Sequence, residues 1–269
     1  MSEQAINKTT YIAKQPDANG YIHYTAQEND VWRTLYLRQV ELIKDRACLE
    51  YFAGVETLRL SADHIPQCNE VSNILTGLTG WSVRPVAALI SFGEFFELLA
   101  NRQFPAASFI RHPEELDYLK EPDIFHELFG HCPLLTNQAF ADFTHAVGKL
   151  GLQLDKAQRA QLARLYWFTV EFGLINTSQG LRIYGGGILS SKTETVYALE
   201  SETPKRRAFD LLEVLRTPYR YDELQKTYFI INSFTELYQL MSENLLVYFA
   251  KAKELGLLAE PEIMELRSC

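Results

Sequence analysis

The sequence predicts a mainly α-helical domain with small β elements, an α+β fold. Three observations carry that reading. Apolar residues recur at helical spacing through most of the chain; strand-like runs are few, chiefly Gly180–Tyr184 and Lys226–Ile231; and no internal repeat, low-complexity tract or linker divides the 269 residues. A chain of this length, 47% hydrophobic and 22% charged, has apolar surface enough for a substantial core.

Residues 1–28 are polar and turn-rich (Lys14-Gln-Pro-Asp-Ala-Asn-Gly20) and are expected to form a loosely held arm, with residues 29–269 as one domain. No separate domain is expected to precede that body. With Asp30 as N-cap, Trp32, Tyr36, Val40, Ile43 and Ala47 lie on one helical stripe. A second helix is expected over Leu49–Leu58, and a third opens at Pro66 and stops at Gly77 or Gly80. Trp81–Ala87 reads as extended and proline-broken, Phe92–Ala100 as helix, Phe104–Arg111 as strand or loop, and Pro113 as the start of a helical turn. Further helical patterns cover residues 137–150, 157–173, 208–216 and 233–254, the last with Leu237, Leu240, Met241, Leu245 and Tyr248 on one stripe.

A net charge of −8 argues against a general nucleic-acid binder, and no apolar run reaches the ~18 residues of a membrane span. Four scattered cysteines form neither a disulfide framework nor a zinc knuckle, and the N-terminus lacks signal-peptide design. A reducing cytoplasm is the expected compartment.

The chemistry concentrates in Pro122-Asp-Ile-Phe-His126-Glu127-Leu-Phe-Gly-His131-Cys-Pro133 and in Tyr166-Trp-Phe-Thr-Val-Glu171-Phe-Gly173. His126 and His131 are separated by five positions, not the four of a zinc-peptidase helix. On an ideal α-helix they would diverge by ~140°, so the helix is expected to stop at Gly130 and Pro133 and let His131 turn back. Glu171, among Trp167, Phe168, Val170 and Phe172, needs a partner, because a bare buried carboxylate costs several kcal/mol. Two imidazoles and one carboxylate can hold a metal on one face and leave the other open, as in non-haem Fe(II) oxygenases. Residue types and spacing alone leave iron and zinc both open. His23, His64 and His145 sit in polar surroundings and do not join the set.

The strings EPDIFHELFGHCPLL, YWFTVEFGL and Tyr184-Gly-Gly-Gly-Ile-Leu-Ser-Ser191, with Trp81-Ser-Val-Arg-Pro-Val-Ala87 and Phe109-Ile-Arg111, resemble the pterin-dependent aromatic amino acid hydroxylases. The likeness spans about residues 30–250 and is greatest to the short bacterial members that hydroxylate phenylalanine. It implies a single catalytic domain around a mononuclear iron site, with Fe(II), a tetrahydropterin (tetrahydrobiopterin or a related bacterial pterin) and dioxygen as co-substrate. His126, His131 and Glu171 would ligate iron; Ile90, Phe95, Glu127 and Tyr166 would contact pterin or lie beside the iron. Arg111 would bind the substrate carboxylate, with Pro122, Trp167, Phe172, Gly187 and Ser190 around the substrate. Ser190 would also orient a ligand histidine.

This chain departs from the animal enzymes at Leu119 in place of a threonine, Pro105 in place of a histidine and Phe92 in place of a serine. Ile230, aligned with a loop position where tyrosine-hydroxylating members carry aspartate, leans toward phenylalanine as substrate. The rival readings are tyrosine or tryptophan hydroxylation, a zinc hydrolase with Glu127 as base, and a non-catalytic pterin or amino-acid binder. L-Phenylalanine is the expected small-molecule partner, with no nucleic acid or membrane, in a monomer or homodimer.

Overall fold

The computed structural model describes residues 11–87, 90–117 and 121–259. Helix α1 (Ala26–Ile43) starts earlier than expected: Thr25, not Asp30, is the cap, and it forms a reciprocal capping box with Glu28. Residues 11–25, expected to belong to a loose arm, lie against the body. Ile22 is buried and exchanges two backbone hydrogen bonds with the Gln67 side chain, and Tyr11 stacks on Phe109 with ring centroids 4.2 Å apart.

Helices α2 (Leu49–Thr57), α3 (Cys68–Leu78) and α4 (Phe92–Ala100) follow the predicted pattern closely. Strands β1 (Ser82–Val86) and β2 (Gln103–Ala107) flank α4 and pair in parallel. Downstream lie α5 (Gln138–Gln153), α6 (Lys156–Tyr166), β3 (Leu174–Thr177), β4 (Gly180–Ile183), α7 (Gly186–Leu189), α8 (Lys192–Glu200), β5 (Lys205–Ala208), α9 (Leu211–Arg216) and β6 (Thr227–Ile231). The second sheet runs β4-β3-β6-β5, antiparallel only between β3 and β4.

The single helix expected over 233–254 is broken into α10 (Phe234–Gln239), a 3₁₀ turn and α11 (Leu245–Leu255). Ser242 bonds back to the Gln239 carbonyl and Glu243 is extended, so this polar Ser-Glu-Asn step competes with helix continuation. Ile230 lies on β6, opposite Leu174 and Ala208, not in a loop.

The segment His126–His131 is walled in by aromatic packing. Phe125 and Phe129 stack at 4.8 Å, Trp32 meets Phe125 edge-on at 5.4 Å, and Tyr51 donates its hydroxyl to the Phe129 carbonyl at 2.7 Å. Burying each phenylalanine contributes about 1.5–3 kcal/mol, so this layer anchors the segment that carries both histidines. Among the described residues no helix is long and apolar enough to cross a membrane.

Candidate active site

The spacing of the two histidines is resolved by a helix type that apolar periodicity does not reveal. His126–His131 is a π-helical segment, its i+5 bonding shown by the Cys132 N–H donating to the Glu127 carbonyl. With about 4.4 residues per turn, positions five apart diverge by only about 50°, against ~140° on an α-helix. The helix therefore does not have to stop for His131 to reach its partner. Gly130 has a different reason from the one expected: a Cβ there would lie 2.6 Å from the Gly186 carbonyl oxygen, so it admits α7. Trp167–Glu171 is a second π-helical segment, closed by the Phe172 N–H donating to the Trp167 carbonyl. Both ligand-bearing helices thus widen by one residue where their ligands face each other.

His126 Nε2 and His131 Nε2 are 3.0 Å apart, and Glu171 Oε2 lies 3.2 Å from His131 Nε2 and 3.7 Å from His126 Nε2. Ligand atoms about 2.1 Å from one ion and at right angles to each other sit about 3.0 Å apart, so the three fit one face of an octahedral ion. The side chain of His131 is 2% exposed, whereas His126 and Glu171 keep 20% and 17%, so the cluster is closed behind His131 and open beside the other two.

Electrostatics agree with a cation site. Burial, and then the neighbouring His131, push His126 down to about 4, which keeps it a neutral donor at physiological pH. Burial raises the Glu171 carboxyl, but the charge and hydrogen bond of His131 outweigh it, and the group remains an anion. Ser190 settles the tautomer of His126. Its hydroxyl donates to the Gly186 carbonyl at 2.9 Å, so toward His126 Nδ1, also 2.9 Å away, it can only accept; Nδ1 carries the hydrogen and Nε2 the free lone pair.

A family model described as biopterin-dependent aromatic amino acid hydroxylase matches residues 2–252. The chain belongs to that family. It is 57% identical to phenylalanine-4-hydroxylase of Pseudomonas aeruginosa over 93% of this chain and 95% of that protein. The apo structure of the cold-active phenylalanine hydroxylase of Colwellia psychrerythraea superposes with a TM-score of 0.90 at 52% identity, covering 92% of this chain and 96% of that one. The Chromobacterium violaceum phenylalanine hydroxylase, solved with iron(III) and 7,8-dihydrobiopterin, gives a TM-score of 0.84 at 44% identity over 91% and 93% of the two chains.

In this hydroxylase the positions expected on the pterin side gather around one ring pair. Phe95, on α4, meets Tyr166 edge to face at 5.1 Å, and Tyr166 is buried close enough to Glu171 and Glu127 for their charges to raise its phenol further than burial alone does. Burial, with Glu171 and Asp123 nearby, pushes the Glu127 carboxyl well above the usual carboxylate range. Ile90 is half-buried just before α4, beside residues 88–89, which are outside the described residues. Among the departures, Phe92 is exposed on the first turn of α4, Pro105 is buried in β2, and Leu119 lies outside the described residues.

Of the positions expected around the substrate, Trp167 packs against both Phe172 (4.7 Å, tilted) and Tyr219 (4.3 Å, stacked), and a Cβ on Gly187 would fall 3.1 Å from both Glu171 Oε2 and Phe172 Cζ. Three packed rings therefore start beside Glu171, with Gly187 keeping their near edge open. Pro122 is half-buried directly before Asp123. Arg111 is buried and not free: Asp123 accepts from its Nε at 2.8 Å and its Nη2 at 3.0 Å, and from its backbone N–H at 3.0 Å. That bidentate grip uses the Nε–Nη2 edge of the guanidinium and makes no use of Nη1.

Sequence reasoning missed Asp123, Tyr219 and Gln225. Asp123 alone carried a signal: an acidic residue three before His126 has the spacing of a helix cap, and its Oδ1 does accept from the His126 N–H at 3.0 Å.

Ser190→Ala is expected to weaken iron binding by about 10–100-fold with the fold intact, because one acceptor that orients His126 is lost. Competition against a chelator measures this. Unchanged affinity would mean that packing alone holds the ring.

Proposed function

We propose that the protein is a phenylalanine 4-monooxygenase, converting L-phenylalanine to L-tyrosine with dioxygen and a tetrahydropterin at a non-haem Fe(II) held by His126, His131 and Glu171. The observation that carries this reading is the cluster of two imidazoles and one carboxylate at 3.0–3.7 Å, open on one side, in a chain of the biopterin-dependent family. Three oxygen- or nitrogen-donor ligands without cysteine suit iron in an oxygenase and leave room for small co-substrates.

Bound iron and tetrahydropterin supply the activation of dioxygen, one atom of which enters the ring while the other leaves as water. The chain's own residues bind, orient and exclude water. Arg111, held by Asp123, pairs with the amino-acid carboxylate through its remaining edge. Phe172, Trp167 and Tyr219 form the apolar side of the ring pocket, and Ile230, half-buried on β6, offers no polar group to a phenolic substrate. Phe95 and Tyr166 provide an aromatic platform for the pterin, with the Glu127 carboxyl, raised by burial, beside it. The buried walls keep bulk water from the reacting atoms. Three buried free thiols, Cys48, Cys68 and Cys132, suit a reducing cytoplasm, and the protein acts as a monomer or homodimer.

The test is aerobic turnover of L-phenylalanine by Fe(II)-loaded protein with tetrahydropterin, scored as tyrosine formed per pterin oxidised. Tyrosine in proportion to pterin, abolished in His126→Ala, is expected. Pterin oxidation without tyrosine would sink phenylalanine as the substrate.

A further inference from the structure

We propose that Gln225 is a positioning and specificity-determining residue: it fixes the rotation of the Trp167 indole and so the shape of the pocket for the substrate ring. The inference rests on the reading of Trp167 as a wall of that pocket.

The Trp167 Nε1–H donates to Gln225 Oε1 at 2.9 Å. An indole N–H points along one in-plane direction, so a fixed acceptor sets the ring's rotation as well as its depth. The acceptor is itself fixed. Gln225 is 4% exposed, and its Nε2 donates to the carbonyls of Arg220 at 2.8 Å and Glu223 at 3.2 Å. Both amide hydrogens are thereby used, and a flipped amide would turn its oxygen onto two carbonyl oxygens. The amide oxygen can therefore face only the indole.

The backbone of the same residue is tied down as well. Its N–H donates to Glu194 Oε1 at 3.1 Å, and the Tyr228 hydroxyl donates to the same carboxylate oxygen. A buried acidic group on α8 thus anchors the chain just before β6 and, through Gln225, the face of Trp167. On the other side the indole is gripped between Tyr219, stacked at 20°, and Phe172, tilted at 33°, the residue next to the ligand Glu171. A rotation of the indole must displace one of these rings, and Phe172 is the one that touches the open edge at Gly187.

The experiment compares wild type, Gln225→Met, Trp167→Phe and the double variant. Gln225→Met keeps length and volume but removes the acceptor; Trp167→Phe removes the N–H and leaves the Gln225 bonds to Arg220 and Glu223 intact. Selectivity is read as kcat/KM for L-phenylalanine over that for L-tryptophan, together with tyrosine formed per pterin oxidised. The indole N–H resonances of the three tryptophans report the bond independently of turnover.

In Gln225→Met the Trp167 resonance is expected to shift and to exchange with solvent faster. Selectivity is expected to narrow by about tenfold, mostly through KM for phenylalanine, with looser coupling. Trp167→Phe is expected to narrow selectivity too, and Gln225→Met is expected to add little to it, because the bond it would break is already gone. Loss of the resonance's protection with unchanged selectivity and coupling would overturn the proposal, leaving Gln225 a purely structural tie. So would a Gln225→Met effect that persists in full on the Trp167→Phe background. Should Gln225→Met fail to fold, unaltered selectivity in Trp167→Phe would overturn it equally. A wild type that makes no tyrosine removes the functional reading beneath the inference, an outcome distinct from an active wild type whose variants keep its selectivity.

Discussion

Replacing Glu171 by glutamine is expected to leave the fold intact and to remove bound iron and tyrosine formation together. The amide matches the carboxylate in shape, so the π-helical turn at Trp167–Glu171 has no packing reason to change. What disappears is the only negative charge among the three ligand groups, and two neutral imidazoles then face a dication alone. Iron affinity should fall by more than about a hundredfold and turnover by about three orders of magnitude, or about 4 kcal/mol on the barrier. Stability should fall modestly in metal-free protein. The contacts with His131 that hold the Glu171 carboxyl below its ordinary range despite burial are weakened in the amide, so metal-free Glu171→Gln should melt somewhat lower than metal-free wild type, while added Fe(II) should raise the melting temperature of wild type alone. Metal analysis, turnover and thermal melts with and without Fe(II) test all three points. Stoichiometric iron with turnover within about tenfold of wild type would refute Glu171 as an essential ligand.

That His126, His131 and Glu171 form one cluster was legible in the sequence because a histidine pair and one glutamate inside apolar runs have few other physical explanations. Their geometry was not legible. A period near 3.6 is the same on either side of a one-residue bulge, so the α-helical assumption demanded a helix stop at Gly130 where the structure has a π-turn. Helices α3 and α4, with apolar stripes and side-chain caps at Gln67 and Ser91, were readable for the same reason that they form: their signals lie within a few residues. Strand β3 was missed because Leu174-Ile-Asn-Thr177 continues the apolar run of the preceding helix, and β5 because Lys-Arg-Arg-Ala has no alternating pattern. Asp123 and Gln225 act through partners 12 and 58 residues away in sequence. Only the fold reveals such pairings.

Asp123→Asn should have the largest effect on stability of any single change at the site. Asp123 is fully buried and Arg111 nearly so, and the carboxylate accepts three hydrogen bonds from Arg111 and one from the His126 backbone. Each oxygen accepts one guanidinium and one backbone N–H, so whichever way the asparagine amide turns, its Nδ2 meets two donors and a buried cation loses its counter-charge. Breaking such a pair from one side costs about 3–5 kcal/mol. The pH dependence has a definite sign. Burial raises the Asp123 carboxyl, but Arg111 more than offsets it and holds the group below the usual carboxylate range. Its contribution is therefore complete above the unfolded-state value of about 3.9 and is lost as the pH falls through the lower native value. The stability gap between wild type and Asp123→Asn should be full at neutral pH and close only in acid; denaturant unfolding across pH measures it, and a gap independent of pH would contradict the charge pairing. Function separates from stability in the double change Arg111→Met with Asp123→Leu. Removing both charges should restore most of the lost stability, because apolar side chains of similar size replace a desolvated pair. Phenylalanine binding should stay lost, because the remaining guanidinium edge is what meets the substrate carboxylate. Recovery of binding along with stability would show that Arg111 serves only as the partner of Asp123.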